Sequence, residues 1–110
     1  NISKVIYPHL KSHQQYDLAK KQMKSGGGLI AFEVGKSKDE VFNFMNKLQI
    51  IDISNNLGDA KSLITHPATT THSNINQEER LRLGINENMV RLSVGIEDIE
   101  DLIEDLDSSL

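Results

Sequence analysis

Met89-Val90-Arg91-Leu92-Ser93-Val94 has the alternation of a β-strand. Side chains of a strand alternate between two faces. Val90, Leu92 and Val94 share one face, while Met89, Arg91 and Ser93 share the other. Ile96, Ile99, Leu102, Ile103 and Leu106 follow at helical spacing and predict an amphipathic C-terminal helix. The apolar side of the strand is expected to meet helices, which leaves Arg91 pointing away from that core.

Upstream, Leu29 to Val34 reads as a second strand, with Ile30, Phe32 and Val34 on one apolar face. Ser37 with Glu40 forms a capping box, and Val41, Phe44, Met45 and Leu48 continue it as an amphipathic helix. Ile50, Ile51 and Ile53 predict a short buried strand. Asn55 to Asp59 is a turn, and Ser62 to Thr65 is a further short strand closed by Pro67. Ala68 to Asn76 reads as a polar loop, and Asn76 with Glu79 caps a short helix ending at Gly84. Toward the N-terminus, Ser12 and Gln15 predict a capping box that opens a helix to Lys24, stopped by Ser25-Gly26-Gly27-Gly28. Asn1 to Leu10 carries Pro8 and little periodicity, so it reads as an extended arm leading in from an upstream region. Helices and short strands are mixed, and each has one apolar side. The fold class is therefore α/β (α+β), a small sheet with helices packed on one face.

Composition narrows the function classes. The 110 residues suit one domain with its own core. With 12 basic and 16 acidic residues the net charge is −4, which argues against a general nucleic-acid binder. Cysteine is absent, so the chain has neither disulfides nor a thiolate, and a reducing cytoplasm fits. No apolar run reaches membrane-spanning length, and no signal-peptide core opens the chain. The length also suits a part of something larger, because most cofactor-dependent enzymes need more chain.

Several motifs fail as chemistry. Gly35-Lys36-Ser37 resembles the end of a phosphate loop, but the glycine required five positions earlier is Ile30. A turn and helix cap is the better reading. His9, His13, His66 and His72 lack metal-ligand spacing. His66 and His72 bracket a loop of Thr69, Thr70, Thr71, Ser73 and Asn74, rich in donors but consistent with plain surface. Seven acids between Glu97 and Asp107 alternate with apolar residues and read as a solvated helix face. They outweigh the rest of the chain, where 12 basic and 9 acidic residues leave +3. Arg91 is the informative residue: a cation inside an apolar strand needs a partner. It either pairs with a structural acid, reaches solvent from the open sheet face, or grips a carboxylate with its planar fork. No catalytic constellation assembles.

Two stretches carry a family resemblance. Asn56-Leu57-Gly58-Asp59-Ala60-Lys61-Ser62-Leu63-Ile64-Thr65-His66-Pro67-Ala68-Thr69-Thr70-Thr71-His72 is one. Arg91-Leu92-Ser93-Val94-Gly95-Ile96-Glu97-Asp98 with Asp101-Leu102-Ile103 is the other. Together they resemble the C-terminal end of the pyridoxal-phosphate-dependent Cys/Met metabolism (trans-sulfuration) enzymes. Tyr7-Pro8-His9-Leu10 with Ser12-His13, Ala19-Lys20-Lys21-Gln22-Met23 and the glycines before Leu29 resembles the segment where that family enters its small domain.

The resemblance implies the small C-terminal domain of a fold-type I enzyme, with a mostly antiparallel sheet, spanning residues 1–110. Residues 1–12 are then a linker from a large domain that binds pyridoxal phosphate. It implies that Arg91 binds the substrate α-carboxylate, with Asn56 and Thr71 at the same site. Asn56 in place of the serine frequent in lyases looks more like the sulfhydrylase branch. The Schiff-base lysine, the stacking ring, the aspartate for the pyridine nitrogen and the phosphate loop belong to the family's large domain, and nothing in this chain matches them. The fragment alone is therefore expected to be inactive and not to hold the cofactor. The activity implied is replacement of the acyl group of O-succinyl- or O-acetylhomoserine by a sulfur nucleophile, in a cytoplasmic homotetramer without nucleic-acid or membrane partners. A cystathionine or methionine γ-lyase, or a free-standing non-catalytic binding domain, is the alternative.

Overall fold

The computed structural model describes residues 2–70 and 73–110. Five strands form one sheet: β1 (Ile2–Ile6), β2 (Leu29–Val34), β3 (Asp52–Ile53), β4 (Leu63–Thr65) and β5 (Met89–Ser93). Their order is β1-β2-β5-β4-β3. The pairs β1–β2, β2–β5 and β5–β4 are antiparallel, and only the short β3–β4 pair is parallel. The helices are α1 (Tyr16–Gln22), α2 (Lys38–Lys47), α3 (Gln77–Arg82) and α4 (Ile99–Ser109), with a 3-10 turn at Pro67–Thr69.

The core forms where the alternation predicts. Phe32 and Val34 of β2, Val90 and Leu92 of β5, and Ile64 of β4 pack against Val41, Phe44 and Met45 of α2 and Leu102 of α4. Phe32 meets Phe44 edge to face at 6.0 Å, a favoured aromatic geometry. Ser37 caps α2 by accepting from the Glu40 N–H, and the Glu40 carboxylate accepts from the Lys36 N–H. That is a reciprocal cap displaced by one residue from the standard box. Asn76 accepts from the Glu79 N–H to cap α3, and Gly84 ends that helix at φ +82, which glycine adopts freely.

Four expectations are corrected. Ile2–Ile6, expected as an extended arm, is an edge strand of the sheet paired with β2, with an irregularity between Ile2 and Lys4. The Ser12–Gln15 capping box does not form. Successive turns occupy residues 7–16, the Gln15 N–H donates to His13 Nδ1, and α1 begins only at Tyr16. The buried isoleucine of the 50–53 run is Ile51, which precedes β3, while Ile53 within the strand is 57 % exposed. The apolar stripe of α4 is narrower than the spacing suggests: Ile96, Ile99 and Ile103 are exposed.

The acidic face of α4 also contains a buried member. Asp105 is 5 % exposed and accepts from the backbone N–H groups of Gln49, Ile50 and Ile51 at 2.8, 2.9 and 3.0 Å. Those groups lie just past the end of α2, where no helical partner remains for them. One carboxylate thus fastens α4 to the α2–β3 connection. Burial pushes its pKa up, but the three N–H donors, with Lys61 adding, outweigh burial and hold it below the ordinary aspartate range.

Candidate functional site

The opposite face of the sheet carries the polar residues. Arg91 of β5 lies between Ala31 of β2 and Thr65 of β4. This face is not open, as expected for a bare sheet. Met89, Ser93, Leu63 and Thr65 on it are all buried.

The segment from Ser54 to Ser62 bonds to this face. Arg91 Nη2 donates to the Asn55 carbonyl at 3.0 Å. The Thr65 hydroxyl donates to Asn55 Oδ1 at 3.2 Å and stands 2.8 Å from Thr70 Oγ1. The Gly58 N–H donates to Ser93 Oγ at 2.9 Å. Ser62 is completely buried, and its N–H and hydroxyl both donate to the Glu97 carboxylate, at 2.8 and 2.7 Å. Ser62 Oγ in turn accepts from the Gly95 N–H at 2.8 Å. Glu97 belongs to this knot and not to a solvated helix face. Burial raises its pKa, but the Ser62 donors, its own N–H and Lys61 more than offset that and hold it below the ordinary glutamate range.

The second support is His66, which is 2 % exposed. Its Nε2 donates to the Glu87 carbonyl, its Nδ1 lies 2.8 Å from Thr69 Oγ1, and its ring meets Phe42 edge to face at 5.1 Å. A carbonyl can only accept, so Nε2 carries a proton. His66 is therefore a buried post under the 66–70 turn and not part of a polar surface loop. The Thr70 hydroxyl donates to the His66 carbonyl at 2.8 Å.

The sequence-predicted residues fare differently. Arg91 and Asn56 come together: the Asn55 carbonyl that holds Arg91 belongs to the peptide joining Asn55 to Asn56. Asn56 is exposed, and its N–H donates to Ser54 Oγ at 3.2 Å. Thr71 lies outside the described residues, as does His72. Sequence reasoning missed Asn55, Thr65, Ser62 and Glu97. Thr65 gave a signal, since a hydroxyl at the end of an apolar strand needs a partner. Asn55 acts through its backbone and gave none.

Arg91 has no acid beside it among the described residues. The ion pairs there are Lys61–Asp52 at 3.8 Å and Arg82–Glu79 at 2.7 Å. A guanidinium has five N–H donors, and among the described residues Arg91 donates to the Asn55 carbonyl. The arrangement can take an anionic group with planar oxygens. No group of three His, Cys, Asp or Glu residues among the described residues is placed to hold a metal ion. No helix among them is long and apolar enough to cross a membrane.

The fold and site thus define a small α/β domain that displays a guanidinium on the sheet face opposite α2 and α4. The chain belongs to the Cys/Met metabolism PLP-dependent enzymes, whose family description matches residues 1–110. It is 52 % identical to an O-succinylhomoserine sulfhydrylase of Mycobacterium tuberculosis over 110 residues, covering 96 % of this chain and 27 % of that protein. It is 48 % identical to an L-methionine gamma-lyase of Pseudomonas putida over 109 residues, covering 99 % of this chain and 27 % of that protein. A cystathionine gamma-lyase from Lactobacillus plantarum, solved in complex with L-serine, superposes with a TM-score of 0.89 at 35 % identity, covering 98 % of this chain and 28 % of that one. The chain spans about a quarter of the length of the curated relatives it matches.

Pyridoxal phosphate, the family's cofactor, does not fit the residues described. All nine lysines are exposed. A cleft of about 740 Å³ is lined by Lys4 and His13, but no aspartate or glutamate lines it to pair with a pyridine nitrogen. No cofactor chemistry is assigned to these residues.

Proposed function

We propose that this chain is the substrate-carboxylate-binding part of a pyridoxal-phosphate-dependent enzyme that replaces the acyl group of O-succinyl- or O-acetylhomoserine with a sulfur nucleophile. The observation that carries the reading is Arg91, a guanidinium held by one backbone carbonyl with no acid among the described residues beside it. A bidentate arginine fixes both the position and the plane of a carboxylate. Holding the substrate in that way lowers the barrier by placing the reacting carbon, and needs no chemistry from the domain itself. Asn56 adds a neutral donor at the rim, and Thr71 is proposed beside it.

The lysine, aspartate and phosphate cradle are assigned to sequence beyond these 110 residues. The domain by itself is inactive in this reading, and the full protein is a cytoplasmic tetramer serving methionine or cysteine biosynthesis. The 52 % identity to an O-succinylhomoserine sulfhydrylase favours sulfhydrylation. Elimination by a γ-lyase is the second reading, favoured by the 48 % identity to a methionine gamma-lyase.

The test is an assay of the full-length protein, loaded with pyridoxal phosphate, on two substrate sets. Homocysteine from an acylhomoserine plus sulfide is the expected product. Release of 2-oxobutyrate from methionine or cystathionine, without sulfhydrylation, overturns this reading in favour of the lyase.

A further inference from the structure

Residues 55–61 are all exposed, and Leu57, the one large apolar side chain among them, is 54 % exposed. Polar bonds hold the segment: Thr65 of β4 donates to Asn55 Oδ1, and β5 with its extension holds the rest. Gly58 is tied to Ser93, and the Ile96 N–H donates to the Ala60 carbonyl at 2.8 Å. At the far end stands the knot of Ser62, Gly95 and Glu97.

That knot has a fixed polarity. The Ser62 hydroxyl has one proton, which goes to Glu97, so its oxygen is left to accept from Gly95. Glu97 takes the Ser62 N–H on its other oxygen, which uses both arms of the carboxylate. Gly95 is required by approach: a Cβ there would strike the Ala60 carbonyl oxygen and the Lys61 backbone. The segment and the extension of β5 are therefore in direct backbone contact, two and three residues beyond Ser93.

We infer that Glu97 is a positioning residue for the Arg91 site: through Ser62 it fixes the 55–62 segment against the end of β5, and so fixes the Asn55 carbonyl that aims the guanidinium. The inference rests on the reading of Arg91 as the carboxylate anchor. Removing Glu97 leaves the Ser62 N–H and hydroxyl without their acceptor, and leaves the segment to its bonds at Thr65, Ser93, Gly95 and Ile96. A guanidinium whose acceptor among the described residues has moved meets the substrate in the wrong plane.

The experiment is steady-state kinetics on the full-length, cofactor-loaded enzyme, with melting curves for each variant. Glu97→Ala is expected to raise KM for the amino-acid substrate about tenfold, with kcat changed by less than about threefold. Glu97→Gln keeps one acceptor oxygen and is expected to stay within about threefold of the parent KM. Arg91→Ala with Glu97→Ala is expected to show no more than the KM of Arg91→Ala alone, because Glu97 acts through Arg91. An unchanged KM in Glu97→Ala, or an effect that adds in full to that of Arg91→Ala, overturns the inference. If Arg91→Ala itself leaves KM unchanged, the underlying carboxylate reading has failed. If Glu97→Ala does not fold, Ser62→Ala carries the test: it removes the hydroxyl's bonds with Glu97 and Gly95, keeps the Ser62 N–H on Glu97, and should raise KM by about threefold. No rise in that variant also counts against Glu97.

Discussion

Arg91 donates through Nη2 to the backbone carbonyl of Asn55, 3.0 Å away and 36 residues earlier in the chain. A backbone acceptor holds the guanidinium without neutralising it. The cation therefore keeps its charge for an incoming anion, which an aspartate in the same place would have cancelled.

Asn56 follows Asn55 directly and is exposed. Asn56→Ala is expected to leave stability within about 0.5 kcal/mol, as for most exposed positions. It should raise the KM of the full-length enzyme about three- to tenfold, the range of one lost neutral hydrogen bond. Thermal melts and steady-state kinetics on the same preparation check both halves.

Asp105 is the most exacting structural residue. Asp105→Ala strands three consecutive N–H groups between α2 and β3, and is expected to cost about 2–4 kcal/mol. For a domain of this size that corresponds to a fall in Tm of about 10 °C or more. Asp105→Ser, which keeps one acceptor, should recover part of the loss. Calorimetry on the 110-residue chain measures both.

Asp105 and Glu97 make stability depend on acid. Both carboxyls are held below their ordinary values in the fold. The unfolded chain protonates them near pH 4, the folded chain only at lower pH. Their contribution is therefore whole above that range and is lost as pH falls through the folded values. Urea midpoints should be level from pH 7 to 5 and drop below about pH 4. Asp105→Asn should flatten that drop as well as lowering the midpoint at neutral pH.

His66→Ala removes the ring that meets Phe42 and leaves the Glu87 carbonyl without its donor. A loss of about 2–4 kcal/mol is expected. Denaturant unfolding would show it as a lower midpoint with an unchanged slope.

The central strand and α2 were legible because their signals are local. β5 alternates cleanly, and Ser37 with Glu40 announces the start of α2. β1 was not legible, since an exposed edge strand carries no apolar alternation and its pairing depends on β2, nearly thirty residues away. Ser12 and Gln15 have the spacing of a cap, but the turns through residue 16 take the backbone elsewhere. Asp105 looked like any acid on an acidic helix. The available clue was position: it lies three residues after Leu102 and four before Ser109, on the one stripe of α4 that is buried. Arg91 was legible as a misfit, a cation in an apolar strand. Its holder was not, because a backbone carbonyl has no residue type to read.

The measurement that tests the carboxylate site most directly is the kinetics of Arg91→Ala in the full-length, cofactor-loaded enzyme. KM for the amino-acid substrate should rise about a hundredfold or more, the worth of a charge-assisted pair, while the absorbance of the bound cofactor stays as in the parent. A KM unchanged from the parent would contradict the assignment of Arg91 to the substrate carboxylate.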